Sequence, residues 1–162
     1  MSIEEAIQER ILILDGAMGT MIQSYQLEEQ DFRGEIFKDI DFQMKGNNDI
    51  LSLTRPDVIE DIHRRYLEAG ADIITTNTFS SQRISMADYH CEDYCDEINR
   101  AAARTALGVA RQYSAKTPAK PRFVVASIGP TNKTASISPD VNNPALRDVT
   151  YDQLAQAYYD QM

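Results

Sequence analysis

Three short apolar runs, each closed by a turn residue, alternate along this chain with segments patterned for helix. Ile11–Leu14 stops at Asp15-Gly16, Asp72–Thr76 at Asn77, and Arg122–Ile128 at Gly129-Pro130. Strands separated by helices point to a parallel sheet, because parallel neighbours need long crossover connections. The helical pattern is clearest between Thr54 and Gly70. Thr54 can cap, Pro56 suits a first turn, and Gly70 sits just past the end. Between them Val58, Ile59, Ile62, Tyr66 and Ala69 recur at helical spacing, and Asp57, Glu60, Asp61, Arg64, Arg65 and Glu68 fall on the wet side with His63.

Further helices are expected from Ile3 to Arg10, Ala17 to Tyr25 and Glu92 to Tyr113, the last with a stripe of Ile98, Ala102, Thr105 and Val109. A capping box, Thr150-x-x-Gln153, opens one more that runs to Met162. Two stretches lack regular pattern: Gln26 to Ser52 and Gly129 to Val149. Both lie downstream of a strand's carboxyl end, where α/β enzymes place ligand-binding loops. The fold class expected is therefore α/β, with about three parallel strands and flanking helices. Three strands leave two bare edges, and Met162 ends a helix with none of the usual stop signals. The pattern fits the N-terminal part of an eight-fold β/α (TIM) barrel, a fold of about 250 residues. A small complete three-layer domain is the alternative. As a half barrel the chain would expose an apolar inner face, and poor stability or self-association is expected.

Composition excludes several partners. Sixteen Lys and Arg stand against twenty-five Asp and Glu, a net charge of −9. Nucleic acid and anionic membranes reward a basic face, so neither is expected. No apolar run approaches the roughly 18 residues of a membrane helix. Met1 to Arg10 lacks a signal peptide's basic start, and two cysteines make no disulfide framework, so a cytoplasmic location is expected.

The sharpest motif is Asp15-Gly16-Ala17-Met18-Gly19-Thr20. A strand-to-helix turn with two glycines exposes backbone N–H groups to a carboxylate or phosphate, and Asp15 could meet an amine. It is equally readable as a tight turn that needs its glycines for backbone freedom. It lacks the third glycine of a dinucleotide fingerprint. Thr75-Thr76-Asn77-Thr78-Phe79 and Ser127-Ile128-Gly129-Pro130-Thr131-Asn132 end the other two runs in the same polar style. Cys91 and Cys95, beside His90, read as packed thiols rather than a metal site, because zinc asks for four well-placed ligands. Glu4-Glu5 and Glu28-Glu29 read as solvated faces.

Taken together, ILDGAMGTMIQSY, DFRGE, KGNNDIL, PDVIEDIHRRYLEAGADIITTNTF and GPTNKTASISPDVNNP resemble the homocysteine S-methyltransferase family. The likeness runs from about Glu9 to the end, and SPDVNNP with DFRGE points to its cobalamin-dependent methionine synthase branch. The resemblance implies a β/α barrel module that binds homocysteine and zinc. Zinc lowers the thiol pKa, and the thiolate takes a methyl group from methylcobalamin to give methionine. Other modules recharge the cobalamin from 5-methyltetrahydrofolate. Residues 1–162 would be an incomplete homocysteine-binding domain. Carried over, Asp15 would meet the substrate ammonium and the amides of Gly16, Ala17 and Met18 its carboxylate, with Thr76, Asn77, Ser127 and Gly129 lining the same cavity. The family's zinc sits on three cysteines late in the barrel, to which Cys91 and Cys95 do not correspond, so no metal, cobalamin or catalytic residue is expected here. Thr75 also departs from an acid common in relatives.

Two readings from other classes stand beside this one. One is a small α/β module that binds a phosphorylated ligand at the Asp15–Thr20 turn. The other is a non-catalytic remnant that associates with a partner chain.

Overall fold

The computed structural model describes residues 2–162; Met1, the first residue of the stretch read for a leader, lies outside them. Helix α1 (Ile3–Glu9) opens on a reciprocal cap between Ser2 and Glu5. Then come α2 (Met18–Gln23), α3 (Glu29–Arg33), α4 (Leu51–Thr54) and α5 (Pro56–Glu68). Strand β1 (Ile73–Thr75) is followed by α6 (Arg83–Met86), α7 (Cys95–Lys116), β2 (Phe123–Val125) and α8 (Tyr151–Gln161). The strands pair in parallel with Ile73 opposite Phe123 and Thr75 opposite Val125, and α7 makes the crossover.

The expected third strand is not formed. Ile11–Leu14 contributes a single bridge, Leu14 to Ile73, so the sheet has two strands, and a barrel does not close among the described residues. The cause is local. The Asp72 carboxylate takes the Ile13 amide at 2.9 Å, and the Ile13 carbonyl accepts from both Asp72 and Ile73 amides. A side chain has replaced one rung of the ladder. Arg10 and Lys120 hold that carboxylate at 2.9 and 3.4 Å. Ile11 stays 89% exposed, and Ile13 and Leu14 also face solvent, contrary to the buried strand expected there.

Helix α5 forms as its stripe dictates, with Val58, Ile59, Ile62 and Leu67 buried, Leu67 taking the place expected of Ala69. Pro56 opens it, but Thr54 belongs to α4 and caps nothing; Arg55 stands at the cap. His63, placed on the wet face by spacing, is fully buried with both ring nitrogens unpartnered. Helix α7 starts three residues later than expected, after a tight turn over Glu92–Tyr94, and buries Ile98, Ala102 and Val109. The Thr150–Gln153 capping box is present on α8. One core joins α2, α5 and α7 around Ile22, Ile59, Ile62 and Ile98. A smaller one places Leu67, Ala106 and Val109 against Ile74 of β1. No helix among the described residues is long and apolar enough to cross a membrane.

The Gln26–Ser52 stretch is folded, not a patternless loop. It contains α3, a turn of helix over Asn48–Ile50 and the start of α4, and Phe32, Phe37, Met44, Ile50 and Leu51 are buried. Glu29, expected on a solvated face, organises it. Its carboxylate accepts the Met44 and Lys45 amides and pairs with Arg33, which itself donates to the Phe37, Ile40 and Phe42 carbonyls. Gly129–Val149 does remain a loop, exposed over nearly all its length.

Candidate ligand site

The turn after Leu14 and the segment after β1 approach each other at the carboxyl ends of the strands. Between them lies a cavity of about 270 Å3, bordered by Met18, Gly19, Gly46, Asn47, Asn48, Asp49, Asn77, Phe79, Ser80 and Tyr89. Met18 and Asn77 are the two expected site residues that the structure brings to it.

Asn77 is 4% exposed and fixed from two sides. Its amide donates to the Asn48 carbonyl at 2.8 Å and to Ser52 Oγ at 3.2 Å. Asp49 crosses the same seam: one oxygen, Oδ2, accepts from the Ser80 amide at 2.6 Å and from Ser81 Oγ at 2.8 Å. The Asn47–Ser52 and Asn77–Ser81 segments are thus zipped by polar groups in place of apolar packing. Burial pushes the Asp49 carboxyl up to about 6, against the two serine bonds that favour its charged form.

The other expected residues lie elsewhere. Both Asp15 oxygens are held by Thr75, through its amide at 2.8 Å and its hydroxyl at 3.1 and 3.2 Å. Burial raises the Asp15 carboxyl and those bonds lower it, with a net rise. Gly16 lies under Tyr66, where an added Cβ would stand 3.0 Å from the hydroxyl. The Tyr66 hydroxyl donates to the Ala17 carbonyl. Among the described residues, the amides of Gly16, Ala17 and Met18 donate to no protein group.

Thr76 borders a separate cavity of about 290 Å3 with Thr78, Ala126 and Gln161. Ser127 and Gly129 stitch the two strand exits together. The Ser127 amide donates to Thr76 Oγ1, its carbonyl accepts from Thr78 Oγ1, and the Gly129 amide donates to the Phe79 carbonyl at 2.8 Å. A Cβ on Gly129 would stand 2.5 Å from that carbonyl oxygen, so only glycine permits the approach. A larger cavity of about 400 Å3, bordered by Arg83, Lys133, Asp148 and Asp160, touches none of the expected residues.

Sequence reasoning missed Asp49, Ser80 and Tyr89 as cavity residues. The Asn47-Asn48-Asp49 cluster was visible, but nothing in its spacing separates a cavity wall from a turn. Neither cysteine is fit to hold zinc in this fold. Cys91 is sealed beside Met44 Sδ, and burial pushes the two thiols up to about 11 and 12, away from the thiolate a metal needs. Among the described residues no three His, Cys, Asp or Glu side chains converge.

The fold is α/β, with a largely polar cavity at the exits of a parallel sheet. The family model for homocysteine S-methyltransferase matches residues 12–162. Among solved structures the chain is similar to the homocysteine methyltransferase MmuM from Escherichia coli. With the metallated form it shares 19% identity at a TM-score of 0.59, over 78% of this chain and 40% of that one. With the oxidized form the figures are 21% and 0.59, over 76% and 39%. At such identities the likeness is one of fold, and the chain spans about two fifths of the length of those proteins. With nearly its whole length matched, the chain belongs to the homocysteine S-methyltransferase family.

Proposed function

We propose that this chain forms the front of a homocysteine-binding module of the cobalamin-dependent methionine synthase type. Its own share of the work is to hold the amino-acid end of homocysteine. The observation that carries this reading is the cavity joining the Met18–Gly19 turn to Asn77. The free amide of Met18 borders that cavity and suits a carboxylate, and those of Gly16 and Ala17 precede it on the same turn. Asn77 is locked in position to meet a second polar group of the ligand. The family resemblance gives the ammonium to Asp15, whose oxygens are held by Thr75 and which stands outside that cavity's lining, and Thr76, Ser127 and Gly129 shape the strand exits.

The residues here do not fit zinc, so no step of methyl transfer is derived from them. In this reading the thiol-activating zinc, methylcobalamin and its recharging by 5-methyltetrahydrofolate belong to parts of the full enzyme outside these residues. The chain by itself is then expected to bind homocysteine and not to turn it over.

Isothermal titration calorimetry with reduced L-homocysteine tests the reading. Saturable one-to-one binding, weakened at least tenfold in Asn77→Ala and untouched by millimolar phosphate, is the expected result. Binding of phosphate at the turn with no response to homocysteine would favour the phosphorylated-ligand module instead.

A further inference from the structure

Four of the ten residues that border the cavity, Gly46 to Asp49, lie on or just past one tight turn. The Asn47 amide closes it on the Met44 carbonyl at 3.1 Å, and Gly46 takes a φ of +108°, a backbone state that favours glycine. Neither strand nor helix holds the entry to this turn. Among the described residues the Met44 and Lys45 amides donate to no backbone carbonyl. Both go to one side chain. Glu29 accepts the Met44 amide at 3.0 Å on each oxygen and the Lys45 amide at 2.7 Å on Oε2. Arg33 grips Oε1 at 2.8 Å, so the carboxylate is itself fixed. Burial would raise the Glu29 carboxyl, but the two amides and Arg33 hold it below the usual carboxylate range. Glu29 does not border the cavity.

The far end of the wall is anchored differently. Asn77 donates to the Asn48 carbonyl, and Ser80 and Ser81 donate to Asp49. Those bonds tie the wall to the strand-exit segment it faces. Glu29 ties it to α3, which is seated in the core by the buried Phe32. From this arrangement we propose that Glu29 is the positioning residue of the cavity: it touches no ligand, and through the Met44 and Lys45 amides it holds the Gly46–Asp49 wall at a fixed distance from the Met18–Gly19 turn. The proposal deepens the functional reading above and rests on it for the ligand that fills the gap. A preset gap spares the ligand the cost of ordering a loop. Loss of Glu29 therefore weakens binding without removing any group that meets the ligand.

Glu29→Gln tests this. Its NH2 faces a backbone N–H or Arg33, donor against donor, so the full set of bonds cannot form. Amide exchange of the ligand-free chain is measured first, then affinity for reduced L-homocysteine by calorimetry. The expected result is exchange about tenfold faster at Met44, Lys45 and on to Asn48, with the α5 amides unchanged, and an affinity about tenfold lower. Saturating homocysteine then slows exchange at those same amides in the variant, a coupling that a merely structural residue does not show. Glu28→Gln removes the exposed pair with the Lys45 ammonium, leaves both amides held, and changes neither readout.

Glu29→Asp keeps the charge but draws it back by one methylene, and gives the same pattern at smaller size should Glu29→Gln fail to fold. Exchange that rises equally along α5, unchanged exchange at Met44 and Lys45, or unchanged affinity once those amides are freed overturns the proposal. So does an equal effect from Glu28→Gln. A wild-type chain that takes up no homocysteine ends the functional reading and leaves the exchange arm to decide the rest. Faster exchange confined to residues 44–48 then supports Glu29 as the holder of the wall, and a uniform or absent change contradicts it.

Discussion

Two segments of similar look in the sequence, Gln26–Ser52 and Gly129–Val149, have opposite fates in the fold. Both follow apolar runs that read as strands in the sequence, and both are polar and aperiodic there. The first buries Phe32, Phe37, Met44 and Ile50 and supplies four of the ten residues that border the cavity. The second leaves Ile137 69% and Val141 91% exposed. The difference lies in what the apolar residues have to grip. In the first segment they are large, and a charged hub fixes the backbone between them: Glu29 accepts two amides, and Arg33 donates to three carbonyls. Phe37 then meets Tyr94 edge to face at 4.9 Å. In the second, Arg147 and Ser138 bond within the loop, to Ala135, Pro144 and Asp140, and the ties to the rest of the fold lie near its start, at Gly129 and Asn132. Irregular backbone becomes structure when buried aromatics and a polar hub act together.

The largest effect that separates the two segments is a core truncation. Phe37→Ala should cost about 3–5 kcal/mol in urea unfolding, because the cavity it leaves is walled by packed helices. A loss below about 1 kcal/mol would mean the first segment is held no better than the second.

Acid should attack the helical layer beneath the first segment next. Burial lowers His63 to about 4, against about 6.5 in an unfolded chain. The unfolded state therefore binds the extra proton first. Stability is full above pH 6.5 and falls by about 3 kcal/mol as pH drops to 4. His63→Leu should flatten that part of the stability curve, and an unchanged slope would remove His63 as its source.

Asp72 acts lower on the pH scale, on the sheet side. Burial alone would raise its carboxyl, but Arg10, the Ile13 amide and Lys120 pull it down to about 2. That stabilisation is present above about pH 4 and lost between about 4 and 2, roughly 2 kcal/mol in all. Asp72→Asn should remove this dependence and loosen the Leu14 bridge, seen as faster amide exchange at Ile13 and Asp15.

The smallest effect belongs to the exposed loop: Val141→Ala should change stability by less than about 0.5 kcal/mol. Protease should also cut within Gly129–Val149 before it cuts within Gln26–Ser52.

The helices α1, α2, α5, α7 and α8 and the strands β1 and β2 were legible because periodicity and caps carry them, while α3, α4 and α6 were not. Pro56 and Gly70 bracket α5, and Thr150 with Gln153 opens α8, as their chemistry requires. What was not legible depended on partners distant in sequence. The Ile11–Leu14 run reads as a strand, but Asp72, about 60 residues away, takes one of its amides and leaves a single bridge. His63 reads as wet because its neighbours Asp61, Arg64 and Arg65 are polar; the packing of α5 turns it inward regardless. The site divides in the same way. Met18 and Asn77 stood out as residues at strand exits, and the fold joins them. Asp49 could not be singled out, since its role arises from Ser80 and Ser81, which approach only in the folded chain.

The central claim, that the Met18–Gly19 turn and the Asn77 segment border one amino-acid pocket, is tested most directly by mapping homocysteine onto the backbone. Amide 1H–15N spectra of the chain would be followed during titration with reduced L-homocysteine. The account predicts saturable shifts concentrated at residues 16–19, 47–49 and 77–80, with the Gly129–Val149 loop silent. Shifts confined to that loop, or no saturable shift at any amide, would contradict it.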